Sequence, residues 1–275
     1  MDENWLFGPK GTFSEEAVIK YTQSVKNCEV VEFNTIPEVI NCISDGLCEE
    51  AVIPIENSIE GSVNVAVDML INDANGIMIK GEVIIPISHC LISDVPVEFK
   101  DVHCILSHQQ AIAQCREYIF KKFPNAEVKA TDSTAQAVLG VKSKPGVVAI
   151  GPERAAVIYG MRIIDRDIQD VKENYTRFLV LSQKDGVITG KDKTSIVFSV
   201  PNVPGSLYNA LGVLANKEIN MTKIESRPSR KKLGEYVFWV DIEGHREDEI
   251  VKSALEELKS RTDFLKVLGS YPKFK

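Results

Sequence analysis

Through its first two thirds the chain repeats one local grammar: a short apolar run ends in small polar residues, and a helix-like segment follows. Trp5-Leu6-Phe7 leads through Gly8-Pro9-Lys10-Gly11-Thr12-Phe13-Ser14 to Glu15 and beyond. Ala51 to Ile55 leads through Glu56-Asn57-Ser58 to a helical stretch from Val63 to Ile71. Cys104-Ile105-Leu106 runs through Ser107-His108-Gln109 into a helix reaching Phe123, and Val128-Lys129-Ala130 runs through Thr131 to Thr134 into Ala135–Val141. Val147 to Ile150 passes through Gly151-Pro152 to Glu153–Tyr159. Strands alternating with helices predict an α/β fold on a mostly parallel sheet. In such sheets ligands sit beyond the carboxyl ends of the strands, where helix N-termini offer free N–H groups and partial positive charge. A single Ser/Thr turn reads as an N-cap; five of them in one chain predict a ligand cleft.

Ile77 to Ile92 is a β-rich stretch too long for one strand. With Thr176 to Leu181 it predicts two lobes whose chain crosses near residues 77–92 and 170–180, leaving a cleft. Residues 183–193 are polar and glycine-bearing, as linkers are. Beyond them the pattern changes. A strand from Thr194 to Val200, a helix opened by Pro204-Gly205, strands over Ile219–Arg227 and Tyr236–Ile242, a helix over Glu247–Ser260 and a strand over Phe264–Leu268 give the βαββαβ order of a ferredoxin-like unit. The expected boundaries are 1–185 and 193–275.

The formal net charge of −7 provides no basic field for nucleic acid, so an anionic ligand must be met by local donors. The chain opens without a basic start or an apolar signal core, and no stretch is long and apolar enough to span a membrane, which predicts a cytoplasmic protein. Its six cysteines, Cys28, Cys42, Cys48, Cys90, Cys104 and Cys115, form no Cys-x-x-Cys pair and are expected as reduced thiols.

Several strings, in order, resemble the prephenate dehydratase family: Gly8-Pro9-x-Gly11-Thr12-x-Ser14, Pro54-Ile55-Glu56-Asn57-Ser58 with Gly61, His89 within Ile87 to Leu91, Ser107-His108-x-Gln110-Ala111 with Gln114-Cys115, Ser133-Thr134-Ala135, and Asn174-Tyr175-Thr176-Arg177-Phe178. In the tail, Pro204-Gly205-x-Leu207 and Ile224-Glu225-Ser226-Arg227-Pro228 resemble the effector strings of that family's ACT domain. Each string is weak alone; seven or more in family order are not. Gln109, Ser206 and Glu173 depart from the usual residues.

The resemblance implies a two-lobed, periplasmic-binding-protein-like catalytic domain followed by an ACT domain. The implied reaction is decarboxylating dehydration of prephenate to phenylpyruvate, with phenylalanine as effector and no cofactor or metal. It implies Thr176, Arg177, Glu56 and His108 as catalytic, with Arg177 clamping a carboxylate and Thr176 addressing the departing hydroxyl. Thr12, Ser14, Asn57, Ser58, Ser107, Thr134, Asn174 and Phe178 would bind substrate. Pro204, Gly205, Ser206, Leu207, Asn220, Glu225, Ser226 and Arg227 would hold the effector in a homodimer or homotetramer. Histidine at His89 reads as a packing residue. Arogenate dehydratase and a non-catalytic two-lobed sensor are the competing functions.

Overall fold

The computed structural model describes residues 4–6, 10–23, 29–33, 35–74, 76–230 and 232–274. Phe7, Gly8, Pro9 and Cys28 lie outside them. In chain order the elements are β1 (Asn4–Leu6), α1 (Phe13–Thr22), β2 (Glu29–Val31), α2 (Ile36–Ser44), β3 (Glu50–Asn57), β4 (Gly61–Ser62), α3 (Asn64–Asn72), β5 (Met78–Pro86), β6 (Cys90–Ser93), β7 (Cys104–His108), α4 (Gln109–Gln114), α5 (Arg116–Lys122), β8 (Glu127–Thr131), α6 (Thr134–Gly140), β9 (Val147–Gly151), α7 (Glu153–Tyr159), β10 (Arg162–Asp165) and β11 (Tyr175–Ser182). The tail adds β12 (Asp192–Ser199), α8 (Ser206–Asn216), β13 (Met221–Pro228), β14 (Tyr236–Glu243), α9 (Glu249–Ser260) and β15 (Phe264–Pro272).

These elements form two compact units. The first is built from residues 1–39, 52–64 and 83–178, and the second from 40–51, 65–82 and 179–275. Each unit thus draws on separate chain segments, and the second joins residues from both sides of the polar 183–193 stretch. A four-stranded sheet runs in the order β4-β3-β11-β5.

In the first unit a five-stranded sheet has the order β10-β6-β9-β7-β8. Only β7–β8 and β7–β9 are parallel; β9–β6 and β6–β10 are antiparallel. The mostly parallel sheet expected from the alternation is therefore mixed, because the 77–92 stretch divides into β5 and β6 and β6 enters in the reverse direction. Strand periodicity explains the nearly continuous apolar runs. Leu91, Ile105, Val148 and Ile150 face one way, onto Ala111, Cys115, Ile119 and Phe123 of the α4–α5 segment. Cys90, Ile92 and Ala149 face the other way, onto Ala137, Val138, Ala155 and Ala156 of α6 and α7. The single helix expected to reach Phe123 is broken at Cys115, whose φ of −114° and ψ of 21° leave the helical region.

In the second unit the antiparallel order β13-β14-β12-β15, with both helices, is the expected ferredoxin-like arrangement. Ile196, Phe198, Val240 and Ile242 pack on α8 and α9. The opposite sheet face is buried as well, around Trp239 and Tyr271. There the fully buried Asp241 carboxylate accepts from Ser195 Oγ at 2.6 Å and Trp239 Nε1 at 2.7 Å, which offsets the cost of removing a charge from water. On this face Lys266 Nζ donates to the carbonyls of Leu70 and Ala74 at the end of α3. A Cβ at Gly269 would overlap the Ile79 backbone, so that close approach requires glycine.

The cysteine expectation needs correction. Cys42 and Cys48 form a disulfide, their Cα atoms 5.6 Å apart, because the turn after α2 folds back on its last residues. Cys90, Cys104 and Cys115 are free and buried, and burial pushes the Cys90 thiol up to about 11 and the Cys115 thiol up to about 12, which makes both poor nucleophiles.

Candidate functional site

The strand ends of the first unit surround a cavity of about 490 Å³, within the range for small-molecule sites. Thr12 and Ser14 enter from the start of α1, Asn57 from the end of β3, His108 from the end of β7, Thr134 from the start of α6, and Thr176 and Phe178 from β11. Four of the five turns expected to gather do so; the fifth, Gly151-Pro152, does not line the cavity. Their caps are formed: Thr12 Oγ accepts from the Glu15 amide at 3.3 Å, and Ser133 Oγ from the Gln136 amide at 3.0 Å. The Gly11–Thr12 turn is held by Glu15, which accepts from the Gly11 amide at 2.8 Å and from Arg154 Nε at 2.6 Å. Burial alone would raise the Glu15 carboxyl; the Arg154 and Gly11 bonds outweigh it and hold the group below the usual carboxylate range.

Thr176 sits at one end of a chain of amides. Asn57 Oδ1 accepts from the backbone amides of Ile59 and Glu60 at 2.9 and 3.1 Å, which fixes the flip of its side chain. Its Nδ2 therefore faces Asn174 Oδ1 at 2.8 Å, Thr176 Oγ at 3.0 Å and the Tyr175 carbonyl at 3.2 Å. Asn174, 1% exposed, donates in turn to Gln114 Oε1 at 2.9 Å. Because Thr176 Oγ accepts from Asn57, its own proton points to an acceptor elsewhere, and the cavity is where Thr176 lies. His108 Nδ1 accepts from the Gln110 amide at 3.3 Å, so the neutral ring keeps its proton on Nε2 as a donor.

Other expected site residues stand off the cavity wall. Strand alternation sends Thr176 and Phe178 to the cavity and Arg177 to the opposite face, where Nη1 is 3.8 Å from Glu56 Oε2; neither Arg177 nor Glu56 lines the cavity. Ser107 is fully buried and donates to the Ile150 carbonyl at 2.6 Å. Ser58 Oγ accepts from the Tyr175 amide at 2.9 Å and pins β11 to the turn after β3. His89 does line the cavity: it is 3% exposed, its Nε2 lies 3.0 Å from Gln114 Oε1, and Phe13 meets its ring edge-on at 5.5 Å. Burial pushes its pKa down, with the Gln114 bond opposing. Pro54, Val63, Ile87 and Ala111 add apolar wall; the first, third and fourth stand in the family strings, but none of the four was expected as a site residue. Asp132 is the one carboxylate among the lining residues. Among the described residues no cluster of His, Cys, Asp and Glu is arranged to hold a metal.

In the second unit Gly205 caps α8 at a φ of 85°, open to glycine and strained for other residues. Pro204, Ser206 and Leu207 flank it, and Asn220 precedes β13. Along β13, Lys223, Glu225 and Arg227 share one face: Lys223 Nζ is 3.3 Å and Arg227 Nη1 3.5 Å from Glu225. Arg227 Nε and Nη2 both donate to Asp68 Oδ1 of α3, at 3.1 and 2.7 Å, and Arg230 donates to Asp68 Oδ2. Ser226 points away from this set and is exposed.

A cavity walled by strand ends, neutral donors and apolar side chains defines an α/β protein that handles a small ligand. The family is shown by sequence. The prephenate dehydratase family matches residues 5–186, and the ACT domain matches residues 194–260. The bifunctional chorismate mutase/prephenate dehydratase of Aquifex aeolicus is 43% identical over 97% of this chain and 72% of its own length. The prephenate dehydratase of Methanocaldococcus jannaschii is 40% identical over 97% of this chain and 96% of its own. A crystal structure of prephenate dehydratase from Arthrobacter aurescens in complex with L-Phe superposes with a TM-score of 0.88 at 32% identity, covering 98% of this chain and 90% of that one. The chain belongs to the prephenate dehydratase family and carries an ACT domain at its C-terminal end. No helix among the described residues is long and apolar enough to cross a membrane.

Proposed function

We propose that the chain converts prephenate to phenylpyruvate and is inhibited by phenylalanine bound at its ACT domain. The observation that carries the reaction is the fixed amide of Asn57, 3.0 Å from Thr176 Oγ, inside the cavity. Prephenate carries two carboxylates and a ring hydroxyl. The hydroxyl takes a proton and leaves as water, the ring carboxylate leaves as CO2, and the electrons of the C–C bond complete the aromatic ring. Thr176, accepting from Asn57, directs its proton at the departing oxygen; hydrogen bonding and orientation, not acid strength, are its contribution.

A wall without Lys or Arg suits the second half of the reaction. A cation fixed on the departing carboxylate would stabilise the ground state that must lose it. The cavity is lined instead by hydroxyls, amides, two histidines, of which His89 has its charged form disfavoured by burial, and one carboxylate, Asp132. In this reading Thr12, Ser14 and Thr134, at helix N-termini, meet the substrate's charge. Arg177 braces Glu56 from the far side of β11, in place of the clamp that the family string suggested.

Regulation fits the second unit. Arg227, from the string expected to meet the effector, is tied to Asp68 on α3, and α3 begins directly after the cavity-lining Val63. Displacing Arg227 on effector binding would release α3 and, through the chain, the turn that bears Asn57. The reading includes a homo-oligomer, a catalytic region over 1–185, a regulatory one over 193–275, and a cytoplasmic location. Purified protein incubated with prephenate is expected to release phenylpyruvate, and to release less with millimolar phenylalanine. Preference for arogenate in a parallel assay would replace the substrate, and turnover of neither would end the reading.

A further inference from the structure

Gln114 sits where the amide chain ends, and its four hydrogen-bonding valences are nearly all committed. Both lone pairs of Oε1 are taken, by Asn174 Nδ2 at 2.9 Å and by His89 Nε2 at 3.0 Å. Nε2 donates one proton to Glu60 Oε1 at 2.8 Å. The second N–H proton is what remains, on a residue that lines the cavity and is 8% exposed. Turning the amide over would set Oε1 against the Glu60 carboxylate and Nε2 against the Asn174 amide nitrogen. Acceptor would face acceptor and donor would face donor.

Glu60 itself is exposed in the turn after β3 and does not line the cavity. Asn57 does not depend on its side chain, since the backbone amides of Ile59 and Glu60 set the Asn57 flip. Loss of the Glu60 carboxylate therefore leaves Thr176 bonded and leaves Gln114 held only through its Oε1, by Asn174 and His89; a cation in its place would set donor against the Gln114 N–H. His89 works from the buried side: with Nε2 facing an oxygen, the neutral ring carries its proton there.

We propose that Glu60 is a positioning residue for the dehydration: from outside the cavity its acceptor-only carboxylate holds the Nε2 end of Gln114 while Asn174 holds the Oε1 end, so that Gln114 presents an N–H rather than a carbonyl oxygen to the doubly negative substrate. The inference rests on the dehydratase reading above. The bland alternative is a solvated turn carboxylate with one surface hydrogen bond.

The two accounts separate in steady-state kinetics of full-length Glu60→Gln and Glu60→Lys, each checked for an unchanged melting temperature. Glutamine keeps an acceptor and lysine offers only donors. Glu60→Lys is expected to lower kcat about tenfold or more, the scale of one charged hydrogen bond, and Glu60→Gln only about threefold. KM in Glu60→Lys should not rise, because the added cation attracts the dianion. In a Gln114→Leu background, Glu60→Lys should cost nothing further. Wild-type kcat in Glu60→Lys, equal losses in both variants, or a full additional loss in the Gln114→Leu background would each overturn the proposal with the dehydratase reading intact. Wild-type protein inert toward prephenate would remove both.

Discussion

Around the cavity, Thr176 is held by neutral groups: Asn57, Asn174 and Gln114 pass hydrogen bonds of 2.8 to 3.0 Å along a buried line. Along β13, position is held by charge: Lys223, Glu225, Arg227, Asp68 and Arg230 alternate in sign. Neutral amides keep direction in a site that a dianion must enter and CO2 must leave, and they demand complete satisfaction of donors and acceptors. Partly exposed ion pairs are individually weak and readily exchanged for other partners. In the proposed function a regulatory strand needs that exchange and a catalytic wall does not. Arg177 lies off the cavity, beside Glu56, and Arg227 is tied to Asp68 on α3.

The largest effect that tests this contrast lies in the neutral line. Thr176→Ala is expected to lower kcat by about 10²- to 10³-fold with the fold retained by circular dichroism, while Thr176→Ser keeps most of it. Near-normal turnover in the alanine variant would break the comparison at its stronger end. In the charged line, Asp68→Asn, which weakens the tie that effector binding would break, should lower basal turnover and shift the phenylalanine concentration for half inhibition about tenfold, the usual scale of a coupling between sites. An unchanged inhibition curve would disconnect β13 from regulation. Arg177→Ala is expected to reduce kcat/KM less than about tenfold, as befits a partly exposed pair at 3.8 Å. A hundredfold loss carried by KM would restore Arg177 as the carboxylate clamp.

The smallest effect is on stability. The folded pKa of His89 is depressed, chiefly by burial, so the unfolded chain binds a proton that the folded chain refuses. The sign follows: the His89 contribution is complete above about pH 6.5 and is lost as the pH falls below it toward the depressed folded value. Urea unfolding at about pH 7.5 and about pH 5.5 should show this decline, and His89→Gln, which keeps the donor to Gln114, should flatten it. An equal decline in both proteins would assign acid sensitivity to other groups.

Much of this was legible in the chain. Apolar runs followed by Ser, Thr and Asn marked the turns at Thr12, Asn57, His108 and Thr134, and those turns do line one cavity. The βαββαβ order of the tail was readable because each element is long and strongly periodic. Other features were hidden. Glu60 and Gln114 are 54 residues apart in sequence, and nothing in either neighbourhood signals a hydrogen bond between them. Asp68 is separated from Arg227 by 159 residues, and from sequence it reads as one more polar residue on a helix. Cys42 and Cys48 lacked any recognised spacing, yet the turn after α2 brings them together.

Local chemistry thus determined which residues begin helices and which strands are buried on both faces, and resemblance to a family marked the strings of a dehydratase. Only the tertiary structure decided which way those side chains face, and so which of them reach the cavity. Alternation along β11 separates Thr176 from Arg177 although they are neighbours in the chain, because successive side chains of a strand point to opposite faces. The direction of the amide line was likewise set by contacts between distant segments, since an amide gains its orientation from the donors and acceptors that packing places around it.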